Sequence, residues 1–214
     1  MCSTQKTPEW KDIRCNRITA SNLGAILGCC NFTTRSTALR RARGCDDFCG
    51  NAATQYGCMM EHKVLLLYEE YKGVKTHADG FRVHPQYEWM GGSPDGLIGT
   101  DGIVEIKCPY NQRWAKLEGN LSLSYYLQCQ LLLWSYGRTW LDFVMHAGPL
   151  RGCSVRRVTV DHALFEKLLP ILQKIAEDVR EKRKAPRAIN SPKVKEWVSQ
   201  SQLFHVQLIE RDIL

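Results

Sequence analysis

Two acids and a lysine stand inside one short run of turn and strand signals, and this run limits the folds open to the chain more than any other part. Gly91-Gly92-Ser93-Pro94-Asp95-Gly96 places an acid in a turn flanked by glycine and proline. Ten residues after Asp95, Val104-Glu105-Ile106-Lys107 sets an acid and a lysine two apart in a strand-forming run that Pro109 stops. Side chains two apart on a strand share a face, so Glu105 and Lys107 project together. With Asp95 at the start of the adjoining strand, two carboxylates and an ammonium meet, and such a set suits a hard divalent cation. The alternative is a plain turn aspartate beside an exposed edge-strand ion pair, which is worth under about 1 kcal/mol.

The flanking patterns supply a frame for that centre. Residues from Trp10 to Gly28 follow helical spacing, with Thr19 or Ser21 able to cap a short helix carrying Leu23, Ile26 and Leu27. From about Ala52 to Tyr71 the apolar positions Met60, Val64, Leu67, Tyr68 and Tyr71 mark an amphipathic helix that Gly73 ends and Glu61 rides on. The period then changes: Phe81 to His84, Trp89 to Gly92 and Ile103 to Lys107 read as short strands. A leucine- and aromatic-rich helix follows over Leu121 to Tyr136, then strands over Trp140 to His146 and Ser154 to Val160. Asp161 opens a long helix that contains Pro170. The order predicts an α/β (α+β) fold, a central mixed β-sheet flanked by helices. We expect one domain over 1–214, with a helical part to about 75, the sheet and its helices over about 76–184, and a tail from about 185 to 214.

Composition adds a partner class and a compartment. A formal charge of +7 on 214 residues favours polyanions, nucleic acid first. Two basic stretches stay open to two readings, a solvated helix face or a phosphate-facing edge: Arg35, Arg40, Arg41 and Arg43, and Arg180, Lys182, Arg183, Lys184 and Arg187. No apolar run approaches the roughly 20 residues of a bilayer-spanning helix, and the first residues lack a secretory pattern. We therefore expect a soluble, intracellular, non-secreted protein away from membranes. Its ten cysteines are then expected to be reduced thiols, and Cys45, Cys49 and Cys58 lack the paired spacing of a zinc ribbon.

The centre would do phosphodiester chemistry: carboxylate-held magnesium activates water, and a neighbouring lysine offsets charge on the phosphate. Asp95 and Glu105 would be ligands, with the Ile106 carbonyl as a further oxygen, and Lys107 would orient the attacking water.

Five ordered blocks extend the pattern: Trp10-x3-Arg14-x3-Ile18-Thr19-Ala20-Ser21; Gly57-x3-Glu61; the Gly-Gly-Ser-Pro-Asp-Gly run ending at Gly96; Glu105-Ile106-Lys107-Cys108-Pro109; and Tyr125-Tyr126-Leu127-Gln128-Cys129-Gln130. Together they resemble the YqaJ-type viral recombinase family, a phage lambda exonuclease-like branch of the P-D-(D/E)-x-K nuclease superfamily. The resemblance implies a restriction-endonuclease-like core and a magnesium-dependent exonuclease, with manganese as substitute and one or two ions. It further implies digestion of double-stranded DNA ends, 5′ to 3′, in viral or phage-type recombination beside a single-strand annealing protein, and a homotrimer. By similarity Arg14, Ser21, Ser93 and Gln130 gather the terminal 5′ phosphate, Glu61 adds a ligand or a contact behind the ligands, and Tyr126 and Gln128 support that wall. No cysteine follows Cys153, so the terminal cysteine trio of related iron–sulfur nucleases is missing. The same triad also serves endonucleases and structure-specific nucleases, and a catalytically idle DNA-end-binding protein could keep the fold.

Overall fold

The structure is a computed structural model that describes residues 8–45, 50–111, 117–148, 151–183 and 186–213. Helices α1 (Pro8–Arg14), α2 (Ala20–Ile26), α3 (Arg35–Ala42) and α4 (Ala52–Lys72) come first, with the two-residue strand β1 (Ile18–Thr19) between α1 and α2. Short strands follow: β2 (Thr76–His77), β3 (Arg82–Val83), β4 (Met90–Gly92), β5 (Gly96–Ile98) and β6 (Gly102–Lys107). Then come α5 (Leu123–Tyr136), β7 (Trp140–His146), β8 (Cys153–Thr159), α6 (His162–Arg180), α7 (Ser191–His205) and β9 (Val206–Ile213).

These strands make two mixed sheets flanked by helices. The larger runs β2-β5-β6-β7-β8-β9, and β6 pairs parallel only with β7. The smaller runs β1-β4-β3, with β1 parallel to β4. Strand β6 is covered on both faces: Val104 and Ile106 pack with Val64 and Tyr68 of α4, while Ile103 joins the main core with Leu127 and Leu131 of α5. Close approach of α5 to the first elements requires glycine. A Cβ on Gly24 would lie 2.3 Å from Ser124 Oγ, and one on Gly92, just ahead of the Asp95 turn, 2.7 Å from Leu132 Cδ2.

Expected elements gain neighbours that the patterns did not reveal. Strands β1, β2 and β5 are two or three residues long, too short for alternation to register. The tail from about 185 contains α7, whose Val194 and Val198 are buried, and β9, which pairs antiparallel with β8 as an edge of the larger sheet. Polar Ser201 and Gln202 interrupt the apolar stripe of α7, yet both are buried through hydrogen bonds to Asp161 and to the Leu121 carbonyl. The arginine-rich α3 serves neither reading at two of its positions. Arg35 donates to the carbonyls of Ile26 and Arg187, and Arg43, which caps α3, to those of Asp178 and Arg183, so they bind the two ends of α3 to the end of α2, to α6 and to the segment after it. Arg183 and Arg187 pair with Glu181 and Glu177, and Lys184 and Cys49 lie outside the described residues. The expectation of reduced thiols is corrected at Cys58, which is disulfide-bonded, whereas Cys15, Cys29, Cys30, Cys45, Cys108, Cys129 and Cys153 are free. No described helix is long and apolar enough to cross a membrane.

The C-terminus of α4 is pinned to β2 by one carboxylate. Glu69 accepts from the Thr76 hydroxyl at 2.6 Å, the Thr76 N–H at 2.8 Å and Lys75 at 3.1 Å. The Thr76 hydroxyl and N–H, with Lys75, hold its carboxyl down at about 2 against an opposing effect of burial. An unfolded glutamate titrates near ~4.3, so this contribution to stability is complete above that pH and is lost as pH falls toward the folded value. Glu69→Gln should therefore lower the melting temperature at pH 7 and flatten its decline between about pH 4.3 and pH 2. Parallel melting curves for both proteins across that window would contradict the assignment.

Candidate active site

Strand pairing delivers the three predicted residues to one place. Gly96 of β5 lies opposite Val104 of β6, so Asp95, one residue before β5, falls beside Glu105 and Ile106. Asp95 Oδ2 accepts the Ile106 N–H at 2.6 Å. Glu105 and Lys107 share the β6 face toward α5 as their spacing requires, and the Lys107 ammonium bonds Glu105 Oε1. Gln128 of α5 donates its amide to the same Oε1. Glu105 Oε2 is buried and has no hydrogen-bond partner. Glu61 reaches this end of β6 from α4, close to Gly57 and the Cys108 carbonyl, and its charge acts on both Glu105 and Lys107.

The electrostatics are those of crowded acids around one cation. Withdrawal from water pushes Asp95 up, opposed by Lys107 and the Ile106 N–H. Glu105 is pushed up to about 8 by burial first, with Asp95 and Glu61 adding to the rise and Lys107 opposing it. For Lys107, burial favours the neutral amine, but Glu105, Asp95 and Glu61 outweigh it and keep the ammonium charged well above its ordinary range. A divalent ion fits this donor set: it would neutralise the excess negative charge and give Oε2 of Glu105 a partner. Among the described residues no three His, Cys, Asp or Glu side chains close into a ready-made cage.

A second feature forms where β1 and β4 run parallel. Thr19 lies opposite Gly91, so the chain carries Thr19 to Ser21 and Gly91 to Ser93 out at the same end of the small sheet. Arg14 donates to Ser21 Oγ at 3.1 Å and Thr19 Oγ1 at 3.5 Å, and its guanidinium lies 4.0 Å from the Trp10 ring centroid. Burial lowers this guanidinium to about 10, and no carboxylate among the described residues pairs with it. A desolvated cation beside two hydroxyls is a place for an anion. Ser93 is half-buried in the turn between this feature and Asp95.

Two expected residues fall elsewhere. Gln130 is fully buried, donating to the Thr159 carbonyl at 2.8 Å and accepting the Asp161 N–H at 2.9 Å, so its amide is spent on joining α5 to the start of α6. Tyr126, one helical turn earlier on that side, is bonded to Ser201 at 2.5 Å, and Ser201 to Asp161. At 3.6 residues per turn these two face away from β6, and the pair that faces it is Tyr125 and Gln128. Tyr125, whose ring centroid lies 6.0 Å from the Lys107 ammonium, was missed, as were Thr19 and the Trp10 stack. Counting the helical period from Gln128 would have found Tyr125.

A mixed sheet with helices on its faces, and a turn aspartate beside an E-x-K strand, define the class: this is the P-D-(D/E)-x-K nuclease fold. The sequence profile of the YqaJ-like viral recombinase domain matches residues 9–139, more than half of the chain. The chain belongs to that family. Among solved structures it is similar to an alkaline exonuclease, LHK-Exo, from Laribacter hongkongensis, with a TM-score of 0.70 and 24% identity over 91% of this chain and 99% of that one. The same exonuclease in complex with dAMP gives a TM-score of 0.71 at 23% identity, with coverage again of 91% and 99%. A phage-related exonuclease from Haemophilus somnus 129PT gives 0.59 at 17% identity, over 80% of this chain and 96% of that one. No curated protein matches the chain.

Proposed function

We propose that the chain is a metal-dependent exonuclease that hydrolyses one strand from the ends of double-stranded DNA, 5′ to 3′, during viral or phage-type recombination. The observation that carries the reading is Glu105, which neighbours Asp95: one of its oxygens is clamped by Lys107 and Gln128, and the other is buried and partnerless. Asp95, Glu105 and the Ile106 carbonyl would hold magnesium, or manganese in its place, as one ion or two, with Glu61 as a further ligand or a contact behind the ligands. When bound, the metal supplies a water acidic enough to ionise near neutral pH and a counter-charge for the phosphorane-like transition state. Lys107 orients that water and offsets charge on the phosphate oxygens; held charged, it does not take the proton. Water oxygen bonds to phosphorus and gives up its proton to solvent, while the bond to the 3′ oxygen breaks and that oxygen takes up a proton from solvent. Gln128 acts by positioning Glu105.

Arg14, Ser21 and Ser93 would gather the terminal 5′ phosphate. Digestion then leaves a 3′-ended single strand, the substrate of a single-strand annealing protein, and the working form would be a homotrimer. Incubation with linear or closed circular duplex, with magnesium or chelator, tests the reading: shortening of linear DNA alone, and only with metal, is expected. Intact linear DNA under every divalent cation would end it. Arg14→Ala should lower the preference for 5′-phosphorylated over 5′-hydroxyl ends about 10–100-fold in kcat/KM, the worth of a charge-assisted hydrogen bond. Equal digestion of both ends by the native protein would remove the phosphate role.

A further inference from the structure

Arg156 of β8 is 1% exposed, a cation almost wholly withdrawn from water. Burial lowers its guanidinium below the ordinary value, and no carboxylate among the described residues pairs with it. Its Nε donates to the Gly119 carbonyl at 2.9 Å and its Nη1 to the Ser154 hydroxyl at 2.8 Å, while Nη2 is buried without a hydrogen-bond partner. Stability alone does not call for such a residue, because apolar packing replaces buried charge at little cost or with a gain. What the guanidinium holds in place supplies the reason.

It holds the entry to α5. Cross-strand partners share a face of the sheet. Glu105 on β6 lies opposite Phe143 on β7, and Phe143 opposite Arg156, so Arg156 projects from the face that carries Glu105, two strands away. From there it reaches Gly119, just ahead of the α5 N-cap, Ser122. Gln202 of α7 donates to the Leu121 carbonyl at 3.1 Å, immediately before that cap. From α2, Gly24 closes on the first turn: a Cβ there would lie 2.6 Å from the Ser124 Cα. Tyr125 rests on Phe143, with centroids 5.3 Å apart, and so ties the same turn to the strand between Glu105 and Arg156. The start of α5 is thus set from β8, α7, α2 and β7. Gln128, which donates to Glu105 Oε1, stands little more than one turn further on. A helix is stiff over that length, so a shift of its first turn carries Gln128 along β6.

We propose that Arg156 is a positioning residue of the nuclease centre: by holding the Gly119 carbonyl it sets where α5 begins, and so where Gln128 meets Glu105. The proposal rests on the nuclease reading for the role of Glu105. An apolar side chain would fill the same space but leave the segment before α5 free to settle along the sheet. The planar guanidinium donates in two directions at once and fixes one place.

Calorimetric titration with manganese, without DNA, tests the role. Arg156→Met should weaken manganese binding about tenfold, the low end of the ~10–100-fold cost of losing a partner behind a metal ligand. Leu172→Ala opens a cavity at a fully buried position of α6, so it lowers the melting temperature while manganese affinity should stay within about twofold of native. Arg156→Lys keeps the charge and a flexible stem but reaches one acceptor where arginine reaches two. It should fold even where the methionine variant does not, and bind manganese more weakly than the native protein. Native affinity in either arginine variant, or an equal weakening in Leu172→Ala, overturns the positioning role. A native protein that binds no divalent ion ends the nuclease reading and this role together, whereas native binding with unaltered arginine variants ends this role alone.

Discussion

Lys107→Met lowers the rate of DNA cleavage about 10²–10³-fold, the usual loss when one preorganised electrostatic group is removed from a transition state. The ammonium bonds Glu105 Oε1 from the same strand, and three carboxylates keep it charged against the cost of burial. Methionine keeps a similar unbranched length and flexible packing, so the site should stay closed around it. Metal affinity changes little, because two effects oppose: Glu105 loses a partner on one oxygen, and an incoming cation loses a repelling neighbour. Calorimetric titration with magnesium or manganese should therefore give a dissociation constant within about tenfold of native, beside a nearly inactive enzyme. Cutting at a near-native rate would remove Lys107 from the chemistry. Gln128→Leu serves as contrast: it takes a neutral donor from the same Oε1, so its loss of rate should be the smaller of the two.

How much of this was open to reading in the sequence depends on the distance over which each signal acts. The triad was legible because β6 enforces its own geometry: two residues apart on one strand means one face, whatever surrounds it. Strands β7 and β8 and helices α4 to α6 carried enough apolar positions for their period to declare itself. Gln130, assigned to the phosphate by family resemblance, is bonded instead to Thr159 and Asp161. Without knowing which side of α5 meets β6, Gln128 and Gln130 are equivalent amides, and only the contacts to Glu105 on one side and to Thr159 and Asp161 on the other distinguish them. The arginines at 35–43 read as a charge run, yet two of them are taken up by carbonyls of α2, of α6 and of the segment after it, a match that charge patterning cannot show. The role of the tail stayed open for the reverse reason: α7 hides its core stripe behind Ser201 and Gln202, whose burial depends on partners far away in the chain.

Asp142→Ala should destabilise the fold by about 1–3 kcal/mol, the cost of leaving a buried hydrogen-bond donor without its acceptor. Asp142 is fully buried on β7, directly opposite Arg157 on β8. It receives two parallel hydrogen bonds from that guanidinium, at 2.7 and 2.9 Å, and a third at 2.7 Å from the hydroxyl of Tyr68 on α4. Arg157 lies 3.9 Å from the Trp140 ring centroid, so it cannot swing to another acceptor without losing that stack. Alanine leaves the buried Tyr68 hydroxyl without its acceptor, while Arg157, its side chain 35% exposed, turns to water. For a chain of this size the melting temperature should fall by about 2–12 °C, as differential scanning fluorimetry would register. Replacing the pair together, Asp142→Leu with Arg157→Met, should recover most of the loss, since apolar packing of similar volume substitutes well for a buried pair. Tyr68 lies seven residues after Glu61 on the same face of α4, so loosening its anchor also frees the helix that presents Glu61. Asp142→Ala should for that reason weaken magnesium binding although it touches no ligand. A melting temperature within about 2 °C of native would show that α4 is held by its apolar contacts alone.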